Sequence, residues 1–336
     1  MAYLTIEDIA KQAGVSRSTV SRVVNDQPNV SDDVRKRVRD VIRKTGYHPN
    51  AAARTLASQR SWMIGIVLPH TVSLFFTDPY YPNLIKGIAQ ACNQYNYTLA
   101  FFLVSNKEDE IKIFPRVARE GQLDGVIVQS GHHGDQEIIG MLVEHKMPVV
   151  VAGRPFKTRG VSYIDIDNLE AAQRAVTHLI DHDYQRIATI TGPANSTVGI
   201  DRREGYVNAL TESGTPVKPE LIVEGDFSDA GGYQAMLKLL PFKPDAVFAA
   251  SDVMAVGAMR AVREAGLAVP RDVAFIGFDD LAPANMPDVA LSTVRQPVDR
   301  FGEKAVEMLI DLIENGIIPP RRATLKTELI IRDSCR

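Results

Sequence analysis

The sequence predicts a small all-α headpiece containing a helix-turn-helix, followed by an α/β core of two parallel-sheet lobes. Three observations predict it. Before residue 48, apolar residues recur at helical spacing in three short segments, with capping residues at their starts and Gly14 and Gly46 at two of their ends. After Ser61 the pattern changes to short apolar runs alternating with amphipathic segments, the sign of βαβ units. Charge divides at the same place. Residues 1–60 hold 11 Lys/Arg against 6 Asp/Glu, whereas residues 61–336 hold 27 against 35. A basic head on an acidic body points to a polyanionic partner for the head.

The headpiece, residues 1–48, opens at Thr5. With Ile6-Glu7-Asp8 it forms an [ST]-x-x-[DE] capping box for a helix through about Ala13. Gly14 gives the turn, and Ser16 is a suitable N-cap for a second helix to about Asn25. A third helix starts at Ser31, carries Val34, Val38, Val41 and Ile42 inward, and ends near Gly46. Arg17, Ser18 and Thr19 fall in the first turn of the second helix, the part of a recognition helix that reaches base edges, and Arg22 lies one turn on. Arginine bonds guanine bidentately, while Ser and Thr hydroxyls suit phosphates or either base. An Arg/Ser-rich first turn also describes a solvated helix start; the flanking helices favour the recognition reading.

Residues 49–60 form a second signal. Pro49 stops the preceding helix, Asn50 can cap a new one, and Ala51–Ser58 is made mostly of good helix formers. So short a helix is marginal alone, and Leu56 on it suits a wedge in a minor groove. The run Thr5 to Ser58, with Val20-Ser21-Arg22-Val23-Val24-Asn25 and Pro49-Asn50-Ala51, Ala53-Arg54 and Leu56, resembles the headpiece and hinge helix of LacI/GalR-family transcription repressors. That resemblance implies an operator-DNA surface of Thr5, Ser16, Arg17, Ser18, Thr19, Ser21, Arg22, Asn25, Asn50, Ala53, Arg54 and Leu56.

In the body, strands are expected at Met63–Leu68, Thr98–Val104, Gly125–Gln129, Val149–Ala152, Tyr163–Ile166, Ile187–Thr191, Ala246–Ala250 and Val273–Phe278. Helices are expected at Pro82–Tyr95, Ile111–Glu120, Asp135–His145, Leu169–His182, Asp201–Ser213, Ala230–Leu240, Asp252–Ala265 and Val298–Glu314. These are too many strands for one open sheet, hence two lobes. The motifs Leu123-Asp124-Gly125, Thr191-Gly192-Pro193, Gly225-Asp226-Phe227, Ser251-Asp252-Val253-Met254-Ala255, Val269-Pro270-Arg271-Asp272 and Ile276-Gly277-Phe278-Asp279-Asp280 resemble the core of the same family, a Rossmann-like, type I periplasmic-binding-protein architecture. The resemblance implies a first lobe of 61–163 with 295–323 and a second of 164–292 with 326–336. The chain would cross three times, making a hinge that ligand closes.

Ligands of open α/β sheets sit beyond the carboxyl ends of the strands. Tyr80 and Tyr81, Arg154, Ser196, Arg202, Phe227, Ser251, Asp252 and Asp279 fall there. The family pattern implies ligand contact at Tyr80, Tyr81, Ser196, Arg202, Phe227, Ser251 and Asp279. An Arg and an Asp in one cleft suit a polyhydroxy ligand, because each makes two well-directed bonds. The tyrosines also suit plain packing, Asp252 a helix cap, and Arg202 with Asp279 an ion pair between lobes. His70–Thr77 departs from the family, being several residues longer than its usual loop and adding Leu74, Phe75 and Phe76.

Other classes find little support. No G-x-G-x-x-G opens a helix after a strand, and no G-x-x-x-x-G-K-[ST] is present. His178 and His182 share a helix face without the H-E-x-x-H glutamate, His132-His133 lies in a loop without nearby ligands, and Asp165 with Asp167 reads as a strand-end pair. Cys92 and Cys335 are too few for a disulfide framework or a zinc site. No run approaches 18 apolar residues, and the N-terminus lacks a signal-peptide pattern. The expectation is therefore a cytoplasmic, non-enzymatic regulator without cofactor or membrane contact. It pairs as a homodimer on double-stranded operator DNA and answers to a sugar-like effector. A purine or nucleoside is the alternative effector, and a solute-binding protein the alternative class, disfavoured by the headpiece.

Overall fold

A computed structural model describes residues 4–24, 27–47, 60–68, 77–104, 112–115, 117–118, 122–130, 136–156, 160–281 and 289–335. The chain divides into two compact units, Met1–Trp62 and Met63–Arg336.

In the first unit, α1 spans Ile6–Ala13, α2 Arg17–Val24 and α3 Asp32–Thr45. The capping box is present: the Asp8 amide donates to Thr5 Oγ1 at 3.3 Å, and the Thr5 amide donates to Asp8 Oδ2 at 2.8 Å. Gly14 and Gly46 end α1 and α3 at φ 64° and 62°, left-handed positions that a side chain would strain. Ile9, Ala10, Ala13, Val20, Val23 and Val38 meet in one core. Tyr47 completes it, although its sequence neighbours place it in the segment leading to the hinge. The hinge expectations at Asn50, Ala53, Arg54 and Leu56, the end of the recognition helix at Asn25, and most of the His70–Thr77 loop lie outside the described residues.

The second unit holds two six-stranded sheets. In the first are β1 (Met63–Leu68), β2 (Thr98–Leu103), β3 (Gly125–Gln129), β4 (Val149–Ala152), β5 (Ser162–Ile166) and β11 (Arg322–Leu325), ordered β11-β5-β4-β3-β1-β2 and all parallel. In the second are β6 (Ile187–Thr191), β7 (Ile222–Glu224), β8 (Ala246–Ala249), β9 (Ala274–Asp279), β10 (Ser292–Arg295) and β12 (Glu328–Ile330). Their order is β12-β10-β9-β8-β6-β7, with only β12 antiparallel. Both sheets repeat one doubly wound order, which reverses between β1 and β3 and again between β6 and β8. Parallel strands covered on both faces read as continuous apolar runs, as Ile64–Leu68 and Ala246–Ala249 do.

The helices are α4 (Tyr80–Gln94), α5 (Gln136–Glu144), α6 (Asn168–Asp181), α7 (Thr197–Glu212), α8 (Asp229–Leu239), α9 (Asp252–Glu264) and α10 (Val298–Asn315). Against the sequence reading, α4 starts two residues earlier and α7 one turn earlier. The Ser196 hydroxyl caps α7 by accepting the Gly199 amide. Gly87 of α4 and Gly302 of α10 let these helices touch: a Cβ on Gly87 would lie 2.0 Å from the Asp299 carbonyl oxygen, and one on Gly302 2.5 Å from that of Leu84.

The chain passes between the sheets after β5, after β10 and after β11. Thus β5 runs through the 163/164 division expected from sequence, and all of β10 lies in the second sheet. Asp167, in the first crossing, accepts the Thr327 amide at 3.0 Å, the Thr327 hydroxyl at 2.8 Å and Arg174 Nη1 at 3.1 Å. Crossings one and three are thereby clasped together by a single carboxylate.

Candidate functional site

A cavity of about 100 Å³ opens where the carboxyl ends of the two sheets face each other. One water needs roughly 10–15 Å³ of such space, so the cavity takes on the order of ten water-sized groups, the scale of one small polyhydroxy molecule. The first sheet supplies Asp78, Tyr80 and Tyr81 after β1, Gln129 and Ser130 at the end of β3, and Asp165 at the end of β5. The second supplies Ser196 and Arg202 after β6, Phe227 after β7, Ser251 after β8, Asp279 at the end of β9 and Gln296 after β10.

At its centre lies Arg202, on α7 and nearly fully buried. Its Nε donates to Asn168 Oδ1 at 2.9 Å, and its Nη1 to the Ala250 carbonyl at 2.6 Å and to Asp279 Oδ1 at 3.4 Å. Its guanidinium carbon stands 3.5 Å from the centroid of the Phe278 ring. A buried guanidinium is tolerable only when so engaged. Asp279 has φ 122°, a left-handed-side conformation that turns its carboxylate from the strand toward Arg202 and Gln296. Burial pushes the Asp279 carboxyl up to about 7; Arg202 opposes the shift, and the charge of Asp78 adds to it. The pair lies within the second sheet's half, so it does not bridge the lobes as an interlobe ion pair would.

Asp165 carries a second buried carboxyl. Its Oδ1 accepts the Ile166 amide at 2.9 Å and Asn168 Nδ2 at 3.1 Å, and burial raises it to about 6. The Tyr80 and Tyr81 rings meet edge to face at 5.5 Å, and burial pushes the Tyr80 phenol up. Phe227, at φ 65°, lays its ring against Gly192, where a Cβ would meet it at 2.3 Å.

Seven of the nine residues expected at the site therefore meet in the cavity: Tyr80, Tyr81, Ser196, Arg202, Phe227, Ser251 and Asp279. Arg154 and Asp252 do not line it. Arg154 reaches across to Asp201, and its carbonyl accepts the Thr197 hydroxyl at 3.0 Å, so it ties the two halves at the rim. Asp252 turns inward beneath Gly277, accepting the Thr293 hydroxyl at 2.6 Å and the Leu281 amide at 3.2 Å. The helix cap expected of Asp252 falls to Ser251, whose hydroxyl accepts the Met254 amide. Sequence reasoning missed Gln129, Ser130, Asn168 and Gln296, and set Asp165 aside. Each lies at or just beyond the carboxyl end of a strand, which is the available signal.

On the headpiece, Arg17, Ser18 and Arg22 stand exposed on α2, while Thr19 and Ser21 are half-buried. Ser16 Oγ takes the Thr19 amide at 3.2 Å and shares hydrogen bonds with the Ser18 and Thr19 hydroxyls at 2.8 Å. Arg17 pairs with Glu7 at 3.2 Å.

Residues 5–50 match the model of the bacterial regulatory proteins of the lacI family, and residues 176–335 that of the periplasmic binding protein-like domain. The HTH-type transcriptional regulator CelR of Thermobifida fusca is 36% identical over 334 residues, covering 98% of each chain. The chain belongs to the LacI family. It is a DNA-binding transcription regulator with a type I periplasmic-binding-protein-like core. Among solved structures, a CelR–cellobiose complex has 34% identity and a TM-score of 0.78, covering 98% of this chain and 99% of that one. A Lac repressor dimer bound to operator and the anti-inducer ONPF has 26% identity and a TM-score of 0.86, covering 99% of each. No described helix of this LacI-family chain is long and apolar enough to cross a membrane, and no described cluster of His, Cys, Asp and Glu could hold a metal ion.

Proposed function

We propose that the protein is a repressor that binds a pseudo-palindromic operator as a homodimer and is controlled by a small sugar-like molecule in the cavity between its sheets. The observation that carries the effector half is the buried Arg202–Asp279 pair, set at the carboxyl ends of strands and within reach of a ligand contacted from both sheets. Such a pair offers directed donors and acceptors to adjacent hydroxyls, and the Tyr80, Tyr81, Phe227 and Phe301 rings offer apolar faces. The solved CelR–cellobiose complex supports a sugar, and the Lac repressor dimer on operator supports the assembly.

On the DNA side, Arg17, Ser18 and Arg22 read base edges. Thr5, Ser16, Thr19, Ser21, Asn25, Asn50, Ala53 and basic side chains such as Arg54 hold or approach the backbone, and Leu56 wedges into the minor groove. Two-fold pairing of headpieces mirrors the operator's symmetry. Closure of the two halves on effector shifts how the two subunits meet and so whether the hinge segments pair: an inducer disfavours pairing, and a corepressor favours it. In this reading the protein acts in the cytoplasm and catalyses no reaction.

The test is thermal melting against sugars, sugar derivatives, nucleosides and purines, followed by operator binding with each hit. A ligand at a hundred times its Kd adds about 2.7 kcal/mol to the folded state. A hit that also changes operator affinity supports the proposal; a hit that leaves it unchanged breaks the link between cavity and DNA.

A further inference from the structure

We propose that Asp165 makes this cavity selective for uncharged or amine-bearing ligands rich in hydrogen-bond donors, and against carboxylated or phosphorylated ones. The inference rests on the reading of the cavity as an effector site. Three carboxylates line the cavity, Asp78, Asp165 and Asp279, against one cation, Arg202. The neighbouring Arg154 brings no surplus positive charge, because Asp201 holds it. With Asp78 and Asp165 ionised, the cavity carries one negative charge in excess when Asp279 is protonated and two when it is not.

The three acids are not equivalent. Asp279 faces Arg202 and Gln296, which offset it. Asp78 accepts the Tyr80 amide at 2.9 Å and feels the attraction of Arg202. Asp165 is fixed from the opposite sheet; Arg154 and Arg202 attract it from a distance, but only its Oδ1 is hydrogen-bonded, by neutral donors from Ile166 and Asn168. Its Oδ2 makes no bond to any described residue. Burial lifts the carboxyl only to about 6, so at neutral pH Asp165 is mostly ionised and remains an acceptor.

Arg202 has committed Nε and Nη1 to Asn168, Ala250 and Asp279, which leaves Nη2 as its open donor. An entering molecule therefore meets an open carboxylate oxygen at Asp165 beside the remaining Nη2 donor of Arg202, within a lining of net negative charge. Hydroxyls and ammonium groups satisfy that acceptor. A carboxylate or phosphate adds like charge in a low-dielectric space, where repulsion is strong.

The experiment uses the full-length protein and its Asp165→Asn variant. Calorimetric titration follows a melting screen of matched sets from the gluco, galacto, manno, xylo and cello series, each as neutral sugar, amino sugar, uronate and phosphate. Expected are binders confined to the neutral and amino sets. In Asp165→Asn the affinity for an amino sugar should fall at least tenfold relative to its neutral parent. A uronate or phosphate that binds the native protein as tightly as its neutral parent overturns the inference while leaving the effector reading intact. So does an unchanged ratio of amino to neutral affinity in the variant. Silence across every set removes the effector reading and this inference with it. Should Asp165→Asn lose its cooperative melt, Asp165→Ser supplies the same ratio.

Discussion

Asn168 holds Arg202 and Asp165 at once: its Oδ1 accepts Arg202 Nε at 2.9 Å, and its Nδ2 donates to Asp165 Oδ1 at 3.1 Å. Asn168 opens α6 directly after the first crossing, so this amide joins the carboxyl of one sheet to the guanidinium of the other at the hinge. Only a side chain with both a donor and an acceptor can do this.

Asn168→Ala should therefore cost more than one ordinary hydrogen bond. It leaves Arg202 Nε and one buried Asp165 contact unmet, each worth about 1–3 kcal/mol when orphaned. Urea unfolding at neutral pH measures it. A loss within a few tenths of a kcal/mol would mean that water replaces the amide without penalty.

Asp279 gives the stability a distinctive pH dependence. Its carboxyl is raised by burial to about 7 in the folded protein, against an ordinary value near 3.8. The folded state therefore holds the proton more tightly than the unfolded chain between those values. The stabilisation from this group is complete at acid pH below the unfolded value and is lost as pH rises through about 7. With 1.36 kcal/mol per unit, the effect is on the order of a few kcal/mol. Asp279→Asn removes that titration, so the variant should gain on the native protein from pH 5 to pH 8. Parallel stability curves would show that Asp279 keeps one protonation state across the range.

The parts of the fold legible in the sequence were those with a strong local pattern. β1, β3 and β4 are continuous apolar runs, and the sequence ranges match the strands. β7, β10 and β11 were not expected as strands. They are only three or four residues long, too short for a period-2 pattern to stand out: even the alternating Arg322-Ala323-Thr324-Leu325 of β11 gives just two repeats. At the site, Arg202 and Asp279 were legible because charge beside a strand end is conspicuous. Asn168 and Gln296 were not, because a neutral amide acquires its role only when distant strands bring partners to it. Asp252 misled because its place at a helix start suggests a cap, whereas Ser251 takes that bond and frees Asp252 to bind Thr293.

Gly87 tests the contact between α4 and α10. Alanine normally gains up to about 1 kcal/mol over glycine inside a helix. At Gly87 its methyl would sit on the Asp299 carbonyl, so the backbones must part and overpacking should win by about 1–3 kcal/mol. Gly140 of α5 has open space around a built Cβ and serves as the control, where alanine should be neutral or stabilising. Equal melting shifts for the two variants would show that α4 and α10 are not closely packed.

Arg22 tests the recognition helix. It is exposed on α2, one turn beyond the first-turn Arg17, and Arg17 is engaged with Glu7. Arg17 must give up an exposed ion pair to reach DNA, but that pair is worth only about 0–1 kcal/mol, too little to prevent it. If Arg22 bonds a guanine edge, Arg22→Ala should cost about 1–3 kcal/mol on the preferred operator and relax the choice of base at one position of each half-site. The headpiece core should be unaffected, because Val20 and Val23 rather than Arg22 face it. Binding to a set of operators varied one base pair at a time, at fixed salt, separates the alternatives. A uniform loss across all sequences, with the salt slope reduced by about one, would assign Arg22 to a phosphate instead.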